Sequence, residues 1–391
     1  MAIVIAVVLI AAGVGEVTGW VNLRVSPAGW SYTSESCGSS DVHAAGTVAA
    51  ALGPAYAAWL ESVAQSMAST VGRCFSLNLN PTSGDGYAPP LGAPGSEFAA
   101  TYAPPTSAES QALPFPAVTV PVSLNAVAVA YNLPGVPSGL NLTPQALLGI
   151  YTGSITSWSS PAIADANPTI ALSGLPAIEP YYESAVTSSN EVFSSFLSSS
   201  SPQWAATVGS GATVHWPVGT AVTSDATMLT SVEAVSGAIG YVEVYGAPPS
   251  GLTWANVEDA AGTFASPTDL DTWIAADSLG SSAAVATGNW SGFSLAGAAA
   301  SNSYPLAALA YVSIYSDLGV AYGGALSLTN ASWLLGYVYW LTAEVSVAPL
   351  PSAYETAAVN ALNNETFDGG KIMQLENEQT EGSEGGETGE F

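Results

Sequence analysis

The side chains able to do chemistry are few in kind. Carboxylates dominate, with 30 Asp and Glu against 3 Lys and Arg and 2 His. A nucleophilic triad needs a histidine oriented by a carboxylate, and His43 and His215 are the two available. No G-x-S-x-G elbow accompanies them, and the VHWPVG context of His215 reads as a structural strand and turn. A pair such as Asp165 and Glu183 has the residue types for glycoside hydrolysis, but no spacing singles out one pair. There is no Walker loop and no G-x-G-x-x-G. No C-x-x-C or Cys/His spacing offers a metal site. The 11 Trp and 17 Tyr could line a sugar- or peptide-like site, or fill cores and hydrated surface. The expectation is a protein without catalytic residues, cofactor or metal centre.

The basic side chains are Arg24, Arg73 and Lys371, well separated, and the formal charge is −27 at pH 7. Nucleic-acid binding is excluded, because neutralising phosphates takes clusters of Lys and Arg. A bidentate clamp on an anionic ligand is hard to build from this inventory. Charged residues make up 8% of the chain, against about 25% in ordinary soluble domains. The hydrophobic fraction of 48% and mean hydropathy of +0.34 rule out compositional disorder. Neutral Ser, Thr, Gly, Ala and Asn take the place of the missing charges, so solubility does not depend on ionised carboxylates. At about pH 2–3 most carboxylates are protonated, and the chain would be near neutral. These features predict an extracytoplasmic protein of an acidophile; a halophile surface would carry far more carboxylates. Cys37 and Cys74, the only cysteines, suggest one disulfide closing a long loop, a contribution of about 3–4 kcal/mol in the chain-entropy model. Two buried thiols are the alternative. Sequons at Asn141, Asn289, Asn330 and Asn364 fit an exported glycoprotein.

These residues must be positioned by an α/β framework. The apolar run over 2–15 ends at Glu16, short of the about 20 residues of a comfortable span. Residues 1–21 read as an export signal or membrane anchor, with a buried core helix as the alternative. Residues 22–42 are loop-like. A helix signal covers 43–73, and 78–116 read as loops with short strands. Val118–Leu133 alternates and is rich in β-branched residues, which predicts a strand. Pro144–Tyr151 reads as a helix with Thr143 as N-cap and Pro144 at its first position. Asn190–Leu197 and Trp333–Thr342 read as helices, and Gly237–Val244 as a buried strand. Alternating strands and helices over this length predict an α/β protein of two lobes. The tail at 373–391, where Glu alternates with small polar residues, is expected to be disordered.

Several segments, taken in order, resemble the phosphate-binding proteins of ABC importers. They are VPVSLNAVAVAYNLPG (120–135), LTPQALLGIYTGSITSWSSPAIADANP (142–168), FSSFLSSSSPQW (193–204), VHWPVG (214–219), GAIGYVE (237–243), WSGFSL (290–295), SYPLAALAYVSIY (303–315) and APLP (348–351). The resemblance spans roughly 43–370. It implies a type II periplasmic-binding-protein fold: two lobes, two crossover strands and a ligand in the central cleft. The expected limits are 22–118 and 246–372 for lobe I and 119–245 for lobe II, with crossings near 116–121 and 244–248.

Members of that family hold phosphate with helix N-terminal N–H groups, hydroxyls, an Arg and an Asp, an arrangement suited to an oxyanion. Their first motif, G-x-G-S-T-F, aligns Ala49 and Ala50 with its hydroxyl residues. The second, F-x-x-S-D-A-P, aligns Thr101 and Tyr102 with its Ser and Asp. The third, R-S-D-G-S-G-T, aligns with Glu183, Ser184, Ala185, Val186, Thr187, Ser188 and Ser189, so Glu183 stands at the Arg. No Arg or Lys occurs between residues 74 and 370, so no shift of alignment supplies one. The resemblance implies a solute-binding protein at the cell surface or outside the cell. Its partner would be an ABC permease, and its ligand a small neutral or weakly charged solute. At low pH a protonated Glu183 would donate a hydrogen bond to a neutral or monoanionic ligand. The alternative is a surface-anchored or filament-forming glycoprotein that keeps the fold and binds no small ligand.

Overall fold

The computed structural model describes residues 4–9, 17–22, 42–49, 52–71, 75–82, 91, 96–244, 253–296, 298–343 and 350–372. Arg24, Cys37, Ala50, Arg73, Cys74 and the acidic tail lie outside them, so the expected disulfide and tail disorder are not addressed by it. Near the N-terminus, β1 (Val4–Leu9) pairs antiparallel with β2 (Val17–Asn22). Part of the apolar run is thus a strand, which overturns the core-helix alternative. No helix among the described residues is long and apolar enough to cross a membrane.

The helix signal over 43–73 resolves into β3 (Val42–Ala49) followed by α1 (Gly53–Val71). Alanine-rich sequence favours helix locally, but pairing with neighbouring strands overrides that preference in β3. A Cβ on Gly46 would lie 2.1 Å from the Phe98 ring, so glycine is what lets the next strand approach. In α1, Tyr56, Leu60, Val63, Ala64 and Met67 are buried at helical spacing.

The next elements are β4 (Phe75–Thr82), β5 (Phe98–Thr101), α2 (Ser107–Ala112) and β6 (Ala117–Tyr131). Then come β7 (Leu140–Leu142), α3 (Pro144–Tyr151), α4 (Pro161–Ala164) and β8 (Glu179–Glu183). They are followed by α5 (Ser188–Ser200), α6 (Pro202–Thr207), β9 (Thr220–Val222), α7 (Asp225–Ala234) and β10 (Ala238–Val244). The C-terminal part holds β11 (Thr253–Glu258), β12 (Phe264–Ala265), α8 (Asp269–Asp277), α9 (Ala283–Thr287) and β13 (Ala307–Tyr315). It ends with α10 (Leu318–Tyr322), α11 (Leu328–Ala343), α12 (Ser352–Leu362), β14 (Thr366–Phe367) and β15 (Gly370–Lys371).

Strands run in the order β4-β3-β5-β13-β6-β10-β8-β9, with β11, β12 and β7 attached beside β6. The strand β6 joins the two halves. Its first part, Ala117–Ala126, pairs with β13, and its second, Ala126–Tyr131, pairs with β10 on the other side. Every residue from Val120 to Tyr131 is buried, as expected for a strand covered on both faces. Pro121 lacks an N–H, and the ladder shifts register opposite it, between Ala310 and Tyr311.

Apolar side chains separate into cores along β6. Val120 and Val122 join a first core with β3, α1, α11 and α12. Ala126–Tyr131 join a second core built from α3, α5, α7 and β10. A smaller third core surrounds Leu124, Trp290, Leu309 and Tyr354. Trp254, Ala255, Val257 and Ala265 pack in the second core, although they follow the expected lobe limit at 245.

Candidate ligand-binding site

The site is assembled where the second core meets the first. Thr187, in extended conformation, caps α5: its Oγ1 accepts the Asn190 N–H at 3.2 Å. That places Ser188 and Ser189 in the first turn of the helix, beside the end of β8, where Glu183 is fully buried. Glu183 Oε2 accepts the hydroxyls of Thr187 and Ser189, each at 2.5 Å. Its other oxygen, Oε1, is buried without a hydrogen-bond partner.

Two further carboxyl groups converge here. Asp225 opens α7 directly after its N-cap Ser224, and its Oδ1 accepts the Glu243 N–H at 3.1 Å. Glu243, on β10, accepts Asn125 Nδ2 at 3.1 Å and the Ser188 hydroxyl. Ser189 Oγ also lies 3.4 Å from Asp225 Oδ1. From the first core, Tyr56 of α1 faces Glu243 and hydrogen-bonds Ser123 of β6 at 3.4 Å. Val186 and Ala212 pack against that same core, so the two halves meet in a closed arrangement filled by polar groups.

An aromatic layer fixes the floor. Tyr241 OH donates to Asn190 Oδ1 at 2.7 Å and accepts the Glu183 N–H at 3.1 Å. Trp216 Nε1 donates to the same Asn190 oxygen, and Phe193 stacks on Tyr241 with centroids 4.4 Å apart. With Asn190 Nδ2 held by Ala212 O at 2.8 Å, the helix start cannot rotate without breaking several buried bonds.

Burial pushes the Glu183 carboxyl above its ordinary range; hydrogen bonds with Ser189, Thr187 and Asp225 oppose the shift. Burial also drives Asp225 well above the ordinary range, and the charges of Glu183 and Glu243 push in the same direction. The pair therefore holds a proton at pH values where exposed carboxyls are ionised. Among the described residues the only Lys or Arg is Lys371, exposed on β15, far along the chain from this cluster. No group of three His, Cys, Asp or Glu among them is placed to hold a metal ion.

Of the residues singled out in the sequence, the structure brings Glu183, Thr187, Ser188 and Ser189 together. Ser184 instead is exposed and bonds Val222 O at 3.0 Å. Ala49, Thr101 and Tyr102 are buried in or beside the first core, and Thr101 donates to Ala103 O at 2.7 Å. Asp165 is exposed at the end of α4, and His215 is exposed too. The carboxyls that do join Glu183, Asp225 and Glu243, carried no motif. The available signals were an acidic residue inside the apolar GAIGYVE strand and the Ser224-Asp225 helix start. The sequons differ as well: the Asn141 amide bonds Ala166 O and Asn256, whereas Asn289 and Asn364 are exposed.

A profile described as the PBP superfamily domain matches residues 44–345. The chain belongs to the PBP superfamily. Within it, the chain is similar to phosphate-binding protein PstS of Pasteurella multocida, 34% identical over 41% of this chain and 45% of the relative. It is also similar to PstS of Methanocaldococcus jannaschii, 27% identical over 66% of this chain and 68% of the relative. The chain thus spans less than half of the Pasteurella protein and about two thirds of the archaeal one. Among solved structures, it resembles the ancestral soluble variant of the human phosphate binding protein, with a TM-score of 0.55 and 18% identity over 84% of this chain and 99% of the other. The high affinity periplasmic phosphate-binding protein PfluDING, bound with phosphate, gives a TM-score of 0.54 and 18% identity over 83% and 99%. The PBP-superfamily chain accordingly has the mixed α/β architecture of the type II periplasmic-binding-protein fold, PstS-like in type.

Proposed function

We propose that this PBP-superfamily chain is an extracytoplasmic solute-binding protein serving an ABC permease. Its cleft takes a neutral or weakly charged solute in preference to dianionic phosphate. Membership of a superfamily of binding receptors supports a role without catalysis. Similarity to the PstS phosphate-binding proteins supports kinship with phosphate receptors. Membrane attachment through residues 1–21, a Cys37–Cys74 disulfide and glycosylation belong to this proposal as the features expected of an exported chain.

The observation that carries the ligand preference is Glu183. It is fully buried at the start of α5, in company with Asp225 and Glu243. It also occupies the place that the family's third motif gives to Arg. A charge facing a like charge at about 4 Å costs about 4 kcal/mol at an effective dielectric of 20, so each carboxyl of the cluster that is ionised opposes a dianion strongly. Neutral solutes, or monoanions at low pH, avoid that cost. Polar filling of the cleft favours binding over a purely structural role, for which apolar filling would be the better solution.

A thermal-shift series with phosphate, sulfate, sugars and short peptides at pH 3 and pH 7 tests this. At pH 7, 1 mM phosphate should leave Tm unchanged. Micromolar phosphate binding would overturn the reading, since 1 mM ligand at a Kd of 1 μM stabilises by about 4 kcal/mol.

A further inference from the structure

The cleft contains a place that suits an anion, and one of the protein's own groups lies in it. The helix α5 has 13 residues, long enough for its N-terminus to favour negative charge. The hydroxyls of Thr187 and Ser189 point at that same place, and both donate to Glu183 Oε2. The second helix terminus, that of α7, contributes Asp225 to the same cluster. The carboxyl of Glu183 therefore already uses the donors that an incoming oxyanion would need. Its remaining oxygen, Oε1, is buried and takes no hydroxyl or N–H of the protein, while the neighbouring Asp225 carboxyl hydrogen-bonds Glu183. The acid is thus held in this position by several partners at once.

We propose that Glu183 is a built-in occupant of the oxyanion position at the start of α5, with Oε2 seated among the helix-terminal donors. This deepens the proposed function and rests on it, because it treats the cluster as the solute cleft. An external oxyanion is refused for two reasons: its donors are taken, and it would face like charge. The titratable groups of the cluster are Asp225 of α7 and Tyr241 of β10, which face Glu183, then Glu243 of β10, which faces Asp225, and Tyr56 of α1, which faces Glu243. None of them offers a fixed positive charge to hold an anion elsewhere in the cluster.

Vacating the position should create an oxyanion site. The full chain carrying Glu183→Ser with Asp225→Asn is compared with the wild type and with Glu183→Gln, which removes the charge but keeps the volume filled. Inorganic phosphate and sulfate at 10 mM and pH 7 serve as probes, read by thermal shift and calorimetry. The double variant should gain a dose-dependent rise in Tm of about 2–4 °C, corresponding to a Kd near or below 1 mM. The wild type and Glu183→Gln should show none. If the double variant is poorly folded, Glu183→Ser alone is read the same way. A folded, vacated variant that ignores both anions while the wild type also ignores them overturns this inference alone. Equal binding by Glu183→Gln overturns it as well, because charge and not occupancy would then be the barrier. Phosphate binding by the wild type defeats the proposed function together with the inference.

Discussion

Two carboxyl pairs, each with one acid at a helix start, ionise differently in the described part of this protein. Beside α10, Asp317 accepts the N–H groups of Val320, Asp368 and Gly369 and the Thr366 hydroxyl, at 2.8–3.0 Å. The turn that aims those donors needs left-handed backbone at Asp368 (φ 51°) and Gly369 (φ 78°). Desolvation works to raise the Asp317 pKa, but the hydrogen bonds from these groups together outweigh it and hold it below the ordinary value. Its neighbour Glu365 is buried, with Oε2 unpartnered. Burial, reinforced by the charge on Asp317, pushes it up to about 8. One member of this pair is thus fully ionised at pH 7 and the other largely protonated. In the cleft, Glu183 and Asp225 are both raised. The comparison teaches that proximity of two carboxyls does not decide their charge. Donor count and access to water do, and the cleft divides its few hydroxyls among three acids.

The contrast fixes the sign of the pH dependence. Unfolded carboxyls ionise from about pH 4, whereas Glu183, Asp225 and Glu365 keep protons in the folded state. The native form therefore binds more protons, and stability falls as pH rises. For Glu365 this contribution is complete below its ordinary value of 4.5 and is lost by about 8. The largest expected effect follows: Glu365→Gln should exceed the wild type at pH 9 by on the order of 4 kcal/mol in urea unfolding. The two proteins should converge near pH 4. Parallel stability curves would break the idea that this pair is split. Next, Glu183→Gln should gain stability at pH 8 and little at pH 4 in the same urea series, because burial raises the carboxyl it replaces. A loss of stability at pH 8 would mean that the carboxylate is well solvated by its hydroxyl donors. Smallest, Asp317→Ala should cost about 1 kcal/mol at pH 7 through the lost cap. That cost should fade on acidification, because a lowered pKa contributes stability above its unfolded value and loses it as pH falls through the folded one. A cost unchanged at pH 2 would point to packing in place of charge.

Much of the framework was legible in the sequence where local and tertiary preferences agree. The helix α3 begins at Pro144 behind Thr143, whose Oγ1 accepts the Ala146 N–H at 3.0 Å. The strands β6 and β10 lie where β-branched, apolar runs predicted them. Disagreement arose at β3, whose Ala-rich composition mimics a helix until the approach of Phe98 to Gly46 is seen. In the cleft, Thr187, Ser188 and Ser189 could be placed because they flank a recognisable helix. Asp225 and Glu243 could not, because nothing local distinguishes a carboxylate that will be buried from one that will face water.

The sequence by itself determined the charge inventory. No Lys or Arg exists between residues 74 and 370, so no fold of this segment can supply a permanently charged side-chain cation to a ligand there. The order of the resembling segments likewise determined the family, because periodic burial is written residue by residue. Only the tertiary structure decided which acids meet. Glu183, Asp225 and Glu243 come from β8, α7 and β10, and are joined by parallel pairing of β8 with β10 and by packing of α7 on β10. Their protonation is set by the loss of water around them and by the few donors that reach them. Both are properties of the assembled interior and of no single segment.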